Sequence, residues 1–137
     1  MSRVVDFESR PTLPPGPFDA VVAGHLLNEL WKDHPKRLDL RCALIEEAGT
    51  RRDAAGFFMA IEPATLTASR DLLSLRDLLA TRGWSILAPC PSSLPCPAMA
   101  AGPSRTCHGE VPWNPPEPAA SIARKAGLDR NSVKWSW

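Results

Sequence analysis

The sequence contains no tyrosine, carries almost no net charge and has no long apolar run. Each absence removes a class of function. Sixteen basic side chains stand against fifteen carboxylates, for a formal charge of +1. That balance excludes a strongly basic nucleic-acid module and an acidic solvating tail. No apolar stretch is long enough to span a bilayer, so no membrane partner is expected. Neither a G-x-G turn nor a G-x-x-x-x-G-K-[ST] loop occurs, so a bare-backbone cradle for a nucleotide-type cofactor is missing. Nothing after Met1 resembles a secretory signal: an arginine is followed by Val4, Val5 and Asp6. The four cysteines are therefore expected in a cytoplasmic setting, reduced or metal-bound rather than paired.

What is present fits one domain of 137 residues, 44% of them apolar. Fifteen prolines and eight glycines take about one residue in six, above the usual share but short of a disordered chain. Residues 1–17 read as an extension: a strand stub at Val4–Phe7, then an extended connector, Pro11–Pro17. Residues 18–88 alternate short apolar runs with helical spacing. Strands are expected near 19–23, 57–61 and 84–88, and helices near 37–48 and 66–82. Arg37, Arg41 and Glu47 are expected on the outer side of the first helix, and Arg70, Asp71, Asp77 and Arg82 on that of the second. Cys42, beside Leu40 and Leu44, reads as a core thiol. Strands buried on both faces between helices point to a parallel α/β sheet. Residues 89–118 hold nine prolines and three cysteines, leaving no room for a core strand or a long helix. Residues 119–137 read as a short helix stopped at Gly127 and the opening of a strand at Val133.

Two regions carry chemistry. An open α/β sheet binds its ligand beyond the carboxyl ends of its strands. That rim holds His25, Asn28 and Glu29 after the first run, Glu62 after the second and Cys90 after the third. Asn28 and Glu29 suit an acceptor amide and a proton-accepting carboxylate, although Glu29 equally suits a helix cap. Asp6 and His25 are the candidates for contact with a cofactor. The second region is Cys90-Pro91, Pro95-Cys96-Pro97 and Cys107-His108. Prolines stiffen that loop and lower the cost of organising it around an ion. Gaps of five and ten residues between the cysteines fit neither a zinc knuckle nor a bacterial ferredoxin motif. Metal ligation, inert packing and redox use all stay open on spacing alone. A fourth metal ligand would come from His108, Cys42 or elsewhere. Trp84 reads as core, Trp113 as a lid over the cysteines, and Arg51-Arg52 and Arg124-Lys125 as solvated pairs.

These residues resemble a family of methyltransferase-like proteins that act in small-subunit ribosome assembly in bacteria and mitochondria and carry an iron–sulfur cluster. The resemblance lies in Phe18-Asp19-Ala20-Val21-Val22-Ala23-Gly24-His25-Leu26-Leu27-Asn28-Glu29-Leu30, in Ala60-Ile61-Glu62-Pro63, and in the ordered cysteine–proline pieces; Ser92 departs from the family's histidine. It implies a partial, Rossmann-like α/β fold of the class I methyltransferase type, three-layered, the C-terminal half, with a Cys/Pro-rich insertion. It also implies Cys90, Cys96 and Cys107 as ligands of a 4Fe-4S cluster, with zinc the alternative, and small-subunit RNA or proteins as partners. The family's S-adenosylmethionine is expected to bind weakly or not at all, because the glycine-rich turn is missing. Three functions follow: a methyltransferase-like factor in ribosome assembly or translation, a noncatalytic cluster-stabilised assembly or RNA-binding factor, and a small zinc-bound adaptor. A sheet lacking its central strand would leave an unpaired apolar edge at Val21 and Val22, for a partner chain to cover.

Overall fold

The run after the proline connector forms strand β1 (Phe18–Gly24) and the second run forms β2 (Arg52–Pro63). Both belong to a computed structural model that describes residues 6–9, 13–128 and 131–137. The expected strand stub at Val4–Phe7 and the connector at Pro11–Pro17 lie partly outside the described residues. β1 and β2 pair in parallel, Val21 opposite Phe58 and Val22 opposite Met59. A parallel pair needs a crossover, and helix α1 (Arg37–Gly49) supplies it. Helix α2 (Leu66–Thr81) follows β2, its first turn capped by the Thr65 hydroxyl, which accepts the Ala68 N–H at 3.3 Å. Leu44 and Ile45 of α1 meet Leu72, Leu75 and Leu79 of α2 over Ala23 and Phe58. Cys42 is fully buried in this core, as its helical neighbours predict.

The proline-rich segment holds only a one-turn helix, α3 (Pro97–Ala100), and a four-residue strand, β3 (Gly109–Pro112). Helix α4 (Glu117–Lys125) stops ahead of Gly127, whose φ of +65° glycine adopts without strain. Strand β4 (Ser132–Ser136) then returns antiparallel to both neighbours. The sheet order is β1-β2-β4-β3. This is the expected α/β class, compatible with a partial Rossmann-like fold, with a mixed sheet in place of an all-parallel one.

Residues 84–88 do not form the expected third strand. Apolar character alone does not make a strand; it needs a ladder partner. The carboxyl end of β2 is taken by β4, through Glu62–Ser136 and Pro63–Trp135. After Gly83 turns the chain at a φ of +88°, the Trp84 N–H bonds back to the Leu79 carbonyl, 3.1 Å away. The indole fills the space left by Gly49, where a Cβ would come within 2.6 Å of the ring, and the Arg52 guanidinium lies 5.5 Å from its centroid. Trp84 thus packs at the core as expected, but from a loop.

Alternation along the strands turns Val21, Ala23, Phe58 and Ala60 toward α1 and α2, and Val22, Phe57 and Met59 away from them. Among the described residues β1 has no strand on its outer side, and Val22 is 60% exposed. This is the open apolar edge that the sequence suggests.

Candidate metal centre and strand-end rim

At the rim, β1 ends at Gly24 and His25 adopts a φ of 51°, its N–H bonded to the Ile61 carbonyl at 2.8 Å. The chain then coils into a turn, with Leu30 N–H to Leu26 O at 3.2 Å. Two charged side chains hold this turn from below. The buried Glu62 carboxylate accepts the Leu27 N–H at 2.9 Å and the Asn28 N–H at 3.3 Å. Arg41 donates to Leu30 O at 2.9 Å, to Asn28 O at 3.5 Å and to Asp71 at 2.7 Å. Arg37 grips the same carboxylate through two bonds of 2.9 Å.

Arg41 and Asp71 were expected on outer helix faces, and the structure places them inside. Arg41 is 2% exposed, because the turn's carbonyls and Asp71 together give its guanidinium the acceptors that water would supply. Burial raises the Asp71 carboxyl, but hydrogen bonds from Arg37 and then Arg41 outweigh it, and the net shift is below the ordinary carboxylate range.

The candidate rim residues separate. Asn28 and Glu29 meet each other, the Asn28 amide donating to the Glu29 carboxylate. The Asn28 Oδ1 is buried and has no hydrogen-bond partner among the described residues. Glu29 and His25 are exposed. Asp6 is exposed and bonds to its own neighbours, its carboxyl held below the usual range by the Ser9 hydroxyl and then by the Ser9 and Glu8 amides. Glu8, not Asp6, ties this segment to the rim, accepting the Trp31 N–H at 2.6 Å. A cavity of about 230 Å³ lies elsewhere, along β1 between Leu13, Pro14, Val21 and Val22, and none of the candidate residues lines it.

The cysteine loop is laid along one stripe of α2. The Asp77 carboxylate accepts the Cys96 N–H through both oxygens at 3.0 Å. Arg76 donates to the carbonyls of Ser92 and Leu94, and Arg70 to those of Gly102 and Arg105. The Ser69 and Ser136 hydroxyls both donate to the Cys107 carbonyl, at 3.1 and 3.2 Å. Ser69, Arg70, Arg76 and Asp77 are the site residues that sequence reading missed as such. Their recurrence on one helical stripe is the signal that could have found them.

Cys90 is exposed, Cys96 buried and Cys107 half-buried. Burial pushes the Cys107 thiol up, and the nearby charges of Cys90 and then Cys96 push it further. The three cysteines therefore share one neighbourhood. Among the described residues no three His, Cys, Asp or Glu side chains are drawn tightly enough to hold an ion. The arrangement is a set of neighbours, not a closed cage. As a donor set it fits a soft centre: a bound cation would reverse the repulsion that three thiolates exert on one another. His108 is exposed, its Nδ1 3.3 Å from the Thr106 hydroxyl. Cys42 belongs to the separate core. Trp113, suggested as a lid, is 38% exposed, and its N–H bonds to the Asn131 carbonyl at 2.9 Å.

Residues 2–113 match the model of a protein family described as mitochondrial small ribosomal subunit Rsm22. The match spans both the rim and the cysteine loop, and the chain belongs to that family. No curated protein matches it. Among the described residues no helix is long and apolar enough to cross a membrane.

Proposed function

We propose that this chain acts on the small ribosomal subunit, in its assembly or in translation, as a methyltransferase-like protein with little or no methyl transfer of its own. In this reading Cys90, Cys96 and Cys107 ligate an iron–sulfur cluster. Family membership over a span that contains all three cysteines supports the ribosomal part. The observation that carries the metal part is the anchoring of the cysteine loop on α2, where Asp77 holds the Cys96 N–H and Ser69 the Cys107 carbonyl. The partners are RNA or proteins of the small subunit. A further chain covering the open edge of β1 belongs to the same reading.

The residues present divide the work. Asp77 sets the backbone at Cys96, while Ser69 and Ser136 hold the carbonyl of Cys107, so two of the three thiols are carried on anchored backbone. A bound cluster supplies a cross-link between the loop's distant parts, and binding to the folded state adds directly to stability. His108 or an exogenous thiol completes the coordination. At the rim, Glu62 and Arg41 fix the main chain of Asn28, and Glu29 is left exposed to meet an acceptor. S-adenosylmethionine binds weakly or not at all, because no glycine-rich turn approaches it.

Anaerobic reconstitution with iron and sulfide counting, and electron paramagnetic resonance of the reduced sample, tests the metal part. Iron and sulfide should bind, and serine at Cys90, Cys96 or Cys107 should abolish or loosen the binding. A colourless protein holding zinc would replace this reading by the adaptor one. Sucrose-gradient sedimentation with small subunits tests the ribosomal part, and failure to co-migrate would count against it.

A further inference from the structure

We infer that the polar cavity beneath the rim turn binds one internal water, which joins Asn28, Glu62 and Arg41. The cavity lies where the turn after β1 meets α1, β2 and α2, and its volume is about 10 Å³. That matches one water and admits nothing larger. Asn28, Arg41, Glu62 and Asp71 supply its polar wall, and leucines with Ala68 the rest. Cavities that stay dry are apolar, and this one is not.

The groups around it lack partners in complementary ways. Asn28 Oδ1 is fully buried, and no described residue donates to it. The amide cannot simply turn over: its Nδ2 donates to the Glu29 carboxylate, and the reverse orientation would set two acceptors against each other. Glu62 is 1% exposed, yet among the described residues its carboxylate accepts only the Leu27 and Asn28 amides, the second at 3.3 Å. A carboxylate has about four acceptor sites, so part of its capacity is unused. On the donor side, Arg41 commits Nε to Leu30 O and Nη1 to Asp71. Its Nη2 reaches only Asn28 O, at the long distance of 3.5 Å. Asp71 is no further bridge, because Arg37 and Arg41 occupy both its oxygens.

A water satisfies all three groups at once. It donates one hydrogen to Asn28 Oδ1 and the other to the Glu62 carboxylate, and it accepts from Arg41 Nη2. That makes about three bonds, the usual number for a buried water. A metal cation does not fit, because the Arg41 guanidinium lines the same cavity and would repel it. Hard cations also need about six oxygens or more, which this wall does not offer. The water acts as a strut under the rim. It keeps the Asn28 carbonyl inward and its NH2 outward, so the rim presents a donor beside the exposed Glu29 carboxylate.

Oxygen-17 magnetic relaxation dispersion of the full chain counts waters that stay bound for longer than the molecule takes to tumble. Asn28→Leu removes the acceptor and puts an apolar side chain of similar size in its place. Its dispersion should correspond to one long-lived water fewer than that of the parent chain, with circular dichroism confirming that the variant is folded. If Asn28→Leu fails to fold, a high-resolution crystal structure of the parent chain decides. It should show a water within hydrogen-bond distance of Asn28 Oδ1 and the Glu62 carboxylate. Equal dispersion in the parent and the folded variant, an empty cavity in the crystal, or a peak there with metal coordination would each overturn the proposal.

Discussion

Arg41 is buried to 2% exposure because Asp71, the Leu30 carbonyl and the Asn28 carbonyl converge on its guanidinium and replace water as acceptors. Asp71→Ala would strand that charge, and removing one partner of a buried pair costs about 3–5 kcal/mol. Urea unfolding should show the loss, and the Asn28 turn should exchange its amides faster. The same pair sets an acid limit. Because the folded Asp71 carboxyl lies below its ordinary value, its contribution is complete above about pH 4 and lost as pH falls through the folded value. The Asp71→Ala variant should therefore show a flatter stability profile below about pH 4 than the parent chain. Sequence reading found these side chains but put them on solvent faces. Helical spacing records which residues share a stripe; it does not record that a turn 11 to 13 residues earlier in the chain brings carbonyls to that stripe. Glu62 was visible at the rim, yet its role as acceptor for Leu27 and Asn28 depended on where the turn lay.

Elements whose periodicity was sustained were legible, and those defined by partners were not. Both long helices and the two apolar strands appear where 3.6-residue and short-run patterns place them. The run at 84–88 is apolar like the Phe57–Ile61 run of β2 but pairs with no strand among the described residues, so it stays a loop around Trp84. Conversely, β3 arises inside a proline-rich segment because β4 offers it a ladder of four residue pairs. That pairing depends on Gly109. A Cβ there would lie 2.2 Å from the Trp137 ring and 2.9 Å from the Trp135 ring, whose centroids are 5.6 Å apart. Gly109→Ala should force the two indoles off one another at a cost of about 1–3 kcal/mol. Near-ultraviolet circular dichroism and tryptophan emission should both change, while far-ultraviolet signal from α1 and α2 persists. An unchanged indole spectrum would contradict the close approach.

At the scale of the molecule, the cysteine loop is joined to the folded core twice, by side chains of α2 and by β4. Strand β4 meets β2 through only two residue pairs and β3 through four, and its Ser136 hydroxyl shares the Cys107 carbonyl with Ser69 of α2. The core itself, from β1 to α2, buries its leucines without help from β4. Two levels of stability follow: a core that opens only on global unfolding, and a loop segment held by polar contacts and a short ladder. The composition change at Pro89 made this division visible in the sequence. The attachment was not visible there, since it rests on single side chains of α2. A chain ending at Asn131 should therefore keep its helical content and most of its cooperative melt. Amides of residues 90–112 that bond within the loop or to α2 should lose protection against hydrogen exchange, while those of α1 and β2 keep theirs. Loading the cysteines should act in the opposite direction, restoring protection to the loop because the bound state tethers Cys90, Cys96 and Cys107 together. Loss of α1 protection on truncation would show instead that the sheet unfolds as one unit.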